Sequence, residues 1–192
     1  QFGAKGDGLT NDTEAFKNSL LALASGGTLV VPGGIYLIEE MLEVPSNTYV
    51  LGFGKAILKR HSDTNSLMIT KSDGTVGGYD ACNNITVENI TFDGSLSEFQ
   101  PNCTLFASGH ATNIRVKNCT FQNLDGWHMI ELNATKDSVI EDCLFYNYGY
   151  GGDGINASEM LQLDFAGNSG AFPWYGLYDN TQCKNIKINN VE

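Results

Sequence analysis

The stretch Asn84-Ile-Thr-Val-Glu-Asn-Ile-Thr-Phe-Asp93 decides the fold, because its pattern returns three more times along the chain. Each copy alternates apolar and polar side chains, bends at a polar residue and resumes as a second short strand. The other copies are Asn113-Ile-Arg-Val-Lys-Asn-Cys-Thr-Phe-Gln122, Asp137-Ser-Val-Ile-Glu-Asp-Cys-Leu-Phe-Tyr146 and Lys184-Asn-Ile-Lys-Ile-Asn-Asn-Val191. Such a repeat indicates a solenoid, in which each coil covers the apolar face of the next.

The bend residues set the period of the repeat. Asn89, Asn118, Asp142 and Asn190 lie 29, 24 and 48 residues apart, and we interpret the last interval as two coils of 24. Leucine-rich repeats have a compatible period, but β-branched residues prevail here over the leucine signature. The sequence therefore predicts an all-β fold, a right-handed parallel β-helix, with Asn and Asp satisfying the backbone at its bends.

The N-terminal residues have a helical pattern instead. Asn11-Asp-Thr-Glu14 matches a capping box, and Gly26-Gly27 would end the helix. Three apolar residues would share one face of it: Phe16, Leu20 and Leu23. Because the end of a solenoid exposes apolar surface, we expect a short capping α-helix within residues 1–27, followed by coils over residues 28–192 in a single domain.

Composition and charge exclude several classes of binding partner. The formal net charge of −11 repels nucleic acid, anionic lipid and acidic polysaccharide unless a cation intervenes, so no nucleic-acid partner is expected. No apolar run reaches the ~20 residues that a membrane span needs, so no membrane partner is expected. Five cysteines leave at least one unpaired, and Cys119 and Cys143 are predicted to stack inside the core. The chain begins without Met and stops within an apparent strand, which suggests a fragment of a longer polypeptide.

The opening of the chain carries a family resemblance. Gln1-Phe-Gly-Ala-Lys-Gly-Asp-Gly-Leu-Thr-Asn-Asp-Thr-Glu-Ala-Phe16, followed by Gly27-Thr-Leu-Val-Val-Pro-Gly-Gly-Ile-Tyr36, closely resembles the start of pectate-lyase-like β-helix proteins. That superfamily includes polygalacturonase-like hydrolases, lyases and phage tailspike depolymerases. The resemblance implies a carbohydrate polymer as partner and an extracellular location, either secreted or virion-associated, with a homotrimer expected for a phage spike. It does not select a reaction, because one fold hosts many activities.

Two stretches of the chain overlay residue for residue: His128-Met-Ile-Glu-Leu-Asn133 and Glu159-Met-Leu-Gln-Leu-Asp164. Glycoside hydrolysis needs one protonated acid and one ionised carboxylate, and crowded like charges separate their pKa values. If the two stretches stack, three carboxylates and an imidazole gather on one face. We assign Glu159 and Asp164 as the acid/base pair, with Glu131 in reserve and His128 as a further member. The alternative is that these are ordinary solvent-facing positions. His61 and His110 are interpreted as structural.

Residues 166–180 form a glycine-rich insertion that interrupts the repeat, and insertions on one face of a solenoid are often binding loops. Its aromatic side chains could stack on sugar rings or could plug the solenoid instead. The residues assigned to substrate binding are Gln162, Asn133, Trp174, Tyr175, Tyr178 and Asp153. Calcium held by Asp153, Asp164 and Asp179 is an open alternative, but no dense acidic loop is present, so no metal ligand or cofactor is assigned.

Three functions remain open from the sequence. The first is a glycoside hydrolase that degrades an extracellular polysaccharide. The second is a lyase or epimerase of uronic-acid polymers, which is less favoured because Lys136 and Lys184, the nearest basic residues, lie at strand entrances. The third is a non-catalytic glycan-binding adhesin or phage tail spike component.

Overall fold

The structure, a computed structural model, describes residues 2–100, 102–149, 159–167 and 176–192. Within these ranges the chain forms one helix, α1 (Thr13–Leu21), and strands that account for most of the described backbone. The strands are β1 (Asp7–Asn11), β2 (Gly27–Ile38), β3 (Leu42–Val44), β4 (Thr48–Arg60), β5 (Ser66–Thr70), β6 (Cys82–Asp93), β7 (Thr104–Lys117), β8 (Thr120–Asp125), β9 (His128–Gly149), β10 (Leu161–Asp164) and β11 (Lys184–Val191). The prediction of a mostly β protein with one short helix is confirmed.

The described strands stack in parallel, each on the coil before it. One series runs from β2 through β4 and β6 to β7 and β8, and both of these pair with β9. A second series runs from β3 through β5 and β7 to β9. Because neighbouring strands lie about 4.8 Å apart, equivalent side chains of successive coils form ladders along the stack.

The last coil corrects one interpretation of the repeat. Lys187 pairs directly with Val139, and Val191 pairs with Cys143, so the interval of 48 residues is one coil and not two. The first part of β9 pairs with β10, whereas its second part pairs with β11. The extra residues are therefore insertions within one coil. Repeat spacing alone could not distinguish these cases, because 48 is also twice the preceding interval.

The bends follow the predicted chemistry. Asn89, Asn118, Asp142 and Asn190 all adopt the left-handed conformation, with φ between 46° and 59°. Asn and Asp tolerate this region better than other residues with a Cβ. A second bend has the same character, because Asn113 donates from its side-chain amide to Oδ1 of Asn84 at 2.8 Å. The repeated Asn and Asp residues thus allow the backbone of each coil to turn.

Aromatic and aliphatic side chains fill the interior of the stack. Phe92, Phe121 and Phe145 form a continuous column, with ring centroids 4.9 and 5.2 Å apart and nearly parallel planes. Cys119 and Cys143 are buried free thiols, as predicted. Stacking of the three phenylalanine rings adds to the hydrophobic contribution of each ring. The core therefore repeats along the axis as regularly as the bends do.

Helix α1 covers the first coil, with Phe16 and Leu20 buried; it ends at Leu21, earlier than predicted, so Leu23 lies beyond it and is half-buried. The predicted capping box forms only in part: Oδ1 of Asn11 accepts the backbone N–H of Thr13 at 2.9 Å, whereas Asp12, which occupies the N-cap position, makes no side-chain capping bond. Its carboxylate instead accepts the backbone N–H groups of Lys5 at 2.7 Å and Gly6 at 3.0 Å, and so fixes the preceding segment. In the described ranges no helix is long and apolar enough to cross a bilayer.

Candidate functional site

Strand β10 lies on β9 in the register that the overlay predicts. Gln162 pairs with Glu131, and Asp164 pairs with Asn133. On β9, Ile130 is part of the hydrophobic core, so the side chain of Glu131 points to the opposite side of the strand. The structure therefore brings Glu131, Asn133, Gln162 and Asp164 together on one face of two adjacent coils.

Glu131 is buried, which distinguishes it from an ordinary surface carboxylate of a solenoid. Its exposed fraction is 2%, and Oε1 accepts a hydrogen bond of 2.7 Å from the side-chain amide of Asn133, which is also buried. Below it on β7 lies Ala107, so no partner of opposite charge comes from that coil. Burial, reinforced by the charges of Asp164 and Glu159, raises the pKa of Glu131 to about 7 despite the Asn133 hydrogen bond.

His128 lies between two carboxylates of the site. Its Nδ1 is 3.0 Å from the backbone oxygen of Glu159 and 3.6 Å from Oε2 of that residue, while its Nε2 is 3.9 Å from Oε2 of Glu131. Burial lowers the pKa of His128, although the nearby carboxylates oppose this shift. Glu159 precedes β10, so its direction is not set by the alternation of side chains along that strand. Its side chain is 44% exposed and still approaches His128.

The end of β10 is held by the segment that leads into β11. The backbone N–H of Ala166 donates to the oxygen of Thr181 at 2.8 Å, and that of Asn180 donates to the oxygen of Ala166 at 2.9 Å. The thiol of Cys183 contacts the backbone oxygen of Asp164 at 3.2 Å. These contacts fix the backbone that carries Asp164.

The remaining predicted residues do not all join this cluster. Tyr178 is exposed, and Asp153, Trp174 and Tyr175 lie outside the described residues. Asp179, one of the candidate calcium ligands, accepts hydrogen bonds from the backbone of Gly78 and Thr181. Among the described residues, no group of three or more His, Cys, Asp and Glu side chains has the arrangement of a metal site.

A contact between two distant segments beside the cluster was not predicted from the sequence. Two segments of the chain meet over His110 on β7. We call residues 71–81 the lower loop and residues 176–183 the upper segment. The N–H of Leu177 donates to the oxygen of Val76 at 3.1 Å, and the hydroxyl of Tyr79 donates to the oxygen of Gln182 at 2.9 Å. Contacts between such distant segments leave no periodic signal in the sequence.

The arrangement combines a buried carboxyl group, a buried imidazole and a solvated carboxylate. Because the pKa of Glu131 is raised to about 7, this group can carry a proton near neutral pH and release it to a ligand. In the described ranges no lysine or arginine lies within ion-pair distance of Glu131, Glu159 or Asp164. The cluster is therefore suited to proton transfer and less suited to neutralising an anionic substrate.

Comparisons with known proteins agree with this architecture. The family model described as rhamnogalacturonase A/epimerase, pectate lyase-like, matches residues 1–192. The pre-neck appendage protein of Bacillus phage B103 is 30% identical over 161 residues, which are 81% of this chain and 18% of that protein. The chain thus spans less than a fifth of this relative.

Two solved structures are similar in fold. That of the Streptococcus pneumoniae surface protein and adhesin PfbA gives a TM-score of 0.80 at 24% identity and covers 99% of this chain and 51% of that one. The A-module of Azotobacter vinelandii mannuronan C-5 epimerase AlgE4 gives 0.60 at 16% identity and covers 78% and 51%. With the stacked parallel coils and the family match over its whole length, the chain belongs to the rhamnogalacturonase A/epimerase, pectate lyase-like family.

Proposed function

We propose that this chain is a right-handed parallel β-helix that hydrolyses glycosidic bonds of an extracellular polysaccharide, with Glu131 as the general acid. The observation that carries the proposal is the burial of Glu131 on the other side of His128 from the solvated side chain of Glu159, and this burial raises the pKa of Glu131 to about 7. Two carboxyl groups in unlike environments are what acid/base cleavage of a glycoside requires. The sequence had favoured Glu159 and Asp164, with Glu131 in reserve, and the burial of Glu131 transfers the acid role to it.

In the proposed reaction, Glu131 donates its proton to the glycosidic oxygen as the bond from that oxygen to the anomeric carbon breaks. Glu159 or Asp164 accepts a proton from water, and the resulting hydroxide adds to the anomeric carbon. Atoms balance, because one water molecule supplies both the hydroxyl of the new reducing end and the proton that restores the acid. No metal ion or organic cofactor is needed for this chemistry.

In this reaction Asn133 would orient the carboxyl group of Glu131, and His128 would return a proton to it. The imidazole lies within 4 Å of carboxylate oxygens of both Glu131 and Glu159, so it can return a proton from one to the other between turnovers. The amide nitrogen of Asn133 holds Oε1 of Glu131, which leaves the other carboxyl oxygen for the proton. Oδ1 of Asn133 is buried without a partner among the described residues and is a candidate acceptor for a sugar hydroxyl.

The decisive experiment compares Glu131→Gln with Glu43→Gln on a panel of neutral and acidic polysaccharides. Glu43 lies on the same ladder as Glu131, reached through Ile69 and Ala107, and is exposed, so it provides the same chemical change several coils away. We expect Glu131→Gln to lower the release of reducing ends by roughly 10²-fold to 10⁴-fold, with Glu43→Gln near wild type. Equal activity in all three proteins would refute the assignment, and unsaturated uronic-acid products would indicate a lyase.

A second candidate function is glycan binding without turnover, as an adhesin or a virion appendage. The observation that favours it is the 2% exposure of Glu131, which restricts access to the acid. The similar pneumococcal protein is a surface adhesin, and the phage relative is an appendage protein, so an extracellular or virion-associated location and a homotrimer belong to this proposal. Glycan binding by the wild type with no release of reducing ends or unsaturated products would support it.

A further inference from the structure

His110 occupies a strained position beside the candidate site. It is fully buried at a bend of β7 and has a φ of 48°, in the left-handed region. Gly109 pairs with Asn133 and Ala111 pairs with Thr135, so His110 lies directly below the bend that follows Asn133. A buried imidazole in this backbone conformation requires specific partners to hold it.

Both ring nitrogens of His110 face backbone oxygens. Nδ1 is 2.8 Å from the oxygen of Gly78, and Nε2 is 2.7 Å from the oxygen of Leu177. A carbonyl oxygen can only accept a hydrogen bond, and a neutral imidazole has an N–H on one nitrogen alone. Both contacts are therefore hydrogen bonds only when the ring is the imidazolium.

The two acceptors belong to segments about a hundred residues apart. Gly78 lies in the lower loop and Leu177 in the upper segment, and the N–H of Gly78 also donates to Oδ2 of Asp179 at 2.7 Å. A Cβ on Gly176 would overlap Cδ2 of His110, and one on Gly77 would lie 2.5 Å from Oδ2 of Asp179. At Gly176 a Cβ would also lie 2.5 Å from the backbone oxygen of Val76, so glycine is needed there, whereas at Gly77 the Asp179 carboxylate would have to shift.

A negative charge faces this contact. Burial opposes ionisation of Asp179, but the backbone of Gly78 and Thr181 and the charge of His110 hold the pKa of Asp179 below its usual value. The elements packed against the ring carry these further titratable groups: Lys71, Asp73, Tyr79 and Asp80 in the lower loop, Tyr178 and Cys183 in the upper segment, and Lys136 on β9. Lys136 stands 4.8 Å over the ring of Tyr79, directed at that aromatic face.

We propose that the His110 imidazolium is a proton-dependent clasp that joins the lower loop to the upper segment and so positions the end of β10. The upper segment holds Ala166 through its bonds to Thr181 and Asn180, two residues beyond Asp164. Loss of one proton from the ring removes one of the two hydrogen bonds and weakens the contact between the two segments, which the Leu177–Val76 and Tyr79–Gln182 bonds still join. The clasp is inferred from the contacts of His110 alone. Its effect on Asp164 as a catalytic group rests on the proposed function.

Hydrogen exchange of the full chain tests the clasp without any glycan. In the wild type, protection of the Leu177 and Gly78 amides, corrected for intrinsic exchange, should fall roughly tenfold to a hundredfold from about pH 5 to about pH 8. The Ile114 and Val116 amides, which lie in the core and report global stability, should show the same change with pH in the wild type and in His110→Phe. His110→Phe should show the low protection at every pH, while His61→Phe, at an exposed histidine, should behave as the wild type.

Two further measurements keep the test decisive if His110→Phe fails to fold. Gly176→Ala, which pushes on the ring from the upper segment, should lose protection at Leu177 and Gly78 to the same degree. Nitrogen NMR of the ring should find protons on both nitrogens at about pH 5. A ring that is neutral across this range, or undiminished protection in Gly176→Ala, would overturn the clasp. A failed hydrolysis assay would leave the clasp intact and count only against the proposed function.

Discussion

The side-chain amide of Asn133 donates a hydrogen bond of 2.7 Å to Oε1 of Glu131, two residues earlier on the same strand, and both side chains are buried. An amide donor stabilises the carboxylate form, yet burial outweighs it and the pKa of Glu131 rises to about 7. The pair thus keeps a titratable group buried in the folded protein. This arrangement lowers stability in one range of pH, which can be measured.

Stability should fall as the pH rises from about 4.5 to about 7. The folded protein keeps a proton on Glu131 up to a pKa of about 7, whereas the unfolded chain releases it near 4.5. The stabilisation is therefore complete below the lower value and is lost as pH rises through the higher one, by an amount on the order of a few kcal/mol. Urea denaturation of the wild type and of Glu131→Gln across this range measures the difference. Glu43→Gln should keep the wild-type slope, and parallel curves for wild type and Glu131→Gln would contradict the prediction.

The Asn113→Ala variant should be destabilised by about 2 kcal/mol. Asn113 has a φ of 57° and donates to Asn84, so alanine removes a hydrogen bond and adds strain in the left-handed region. Asn113→Gly removes the same bond without that strain and should be destabilised less. Chemical denaturation compares the two, and a larger loss for glycine than for alanine would argue against left-handed strain as the cause.

Phe121→Ala should destabilise the protein by about 3–5 kcal/mol, because it opens a cavity in the middle of the phenylalanine column. Phe121 is fully buried and stacks on Phe92 and Phe145 on either side. Phe53, which is 75% exposed, provides the matched control, and Phe53→Ala should change the free energy of unfolding by less than about 1 kcal/mol. Similar losses of unfolding free energy in the two variants would mean that the phenylalanine column contributes no more to stability than an exposed phenylalanine.

Gly52→Ala should destabilise the protein although Gly52 needs no left-handed backbone. A Cβ there would overlap the carbonyl oxygen of Asn89 on the next coil, and backbone atoms in a ladder cannot move aside. We expect a loss of about 1–3 kcal/mol, seen as a lower thermal midpoint. At Gly33 the nearest atom to a new Cβ is 3.4 Å away, so Gly33→Ala should be close to neutral. A neutral Gly52→Ala would show that the coils can separate locally.

The coil architecture could be predicted because each of its causes is local. Strand alternation, Asx residues at the bends and the inward phenylalanine of the first three repeats act within a few residues, and stacking repeats them along the axis. The register of β10 on β9 was also predictable, since His128–Asn133 and Glu159–Asp164 share one pattern. The single coil of 48 residues was not, because an insertion and an extra coil have the same length in sequence.

The sequence by itself determined the stacked coils, the left-handed Asx bends, the capping helix and the set of polar residues that meet on one face. Only the tertiary structure decided that Glu131 is buried and that His110 joins two distant segments. The physical reason is that strand alternation assigns a side chain to a face but does not determine what covers that face. The pKa of Glu131 depends on its burial and on Glu159 and Asp164, which come from the next coil, about thirty residues away in the chain.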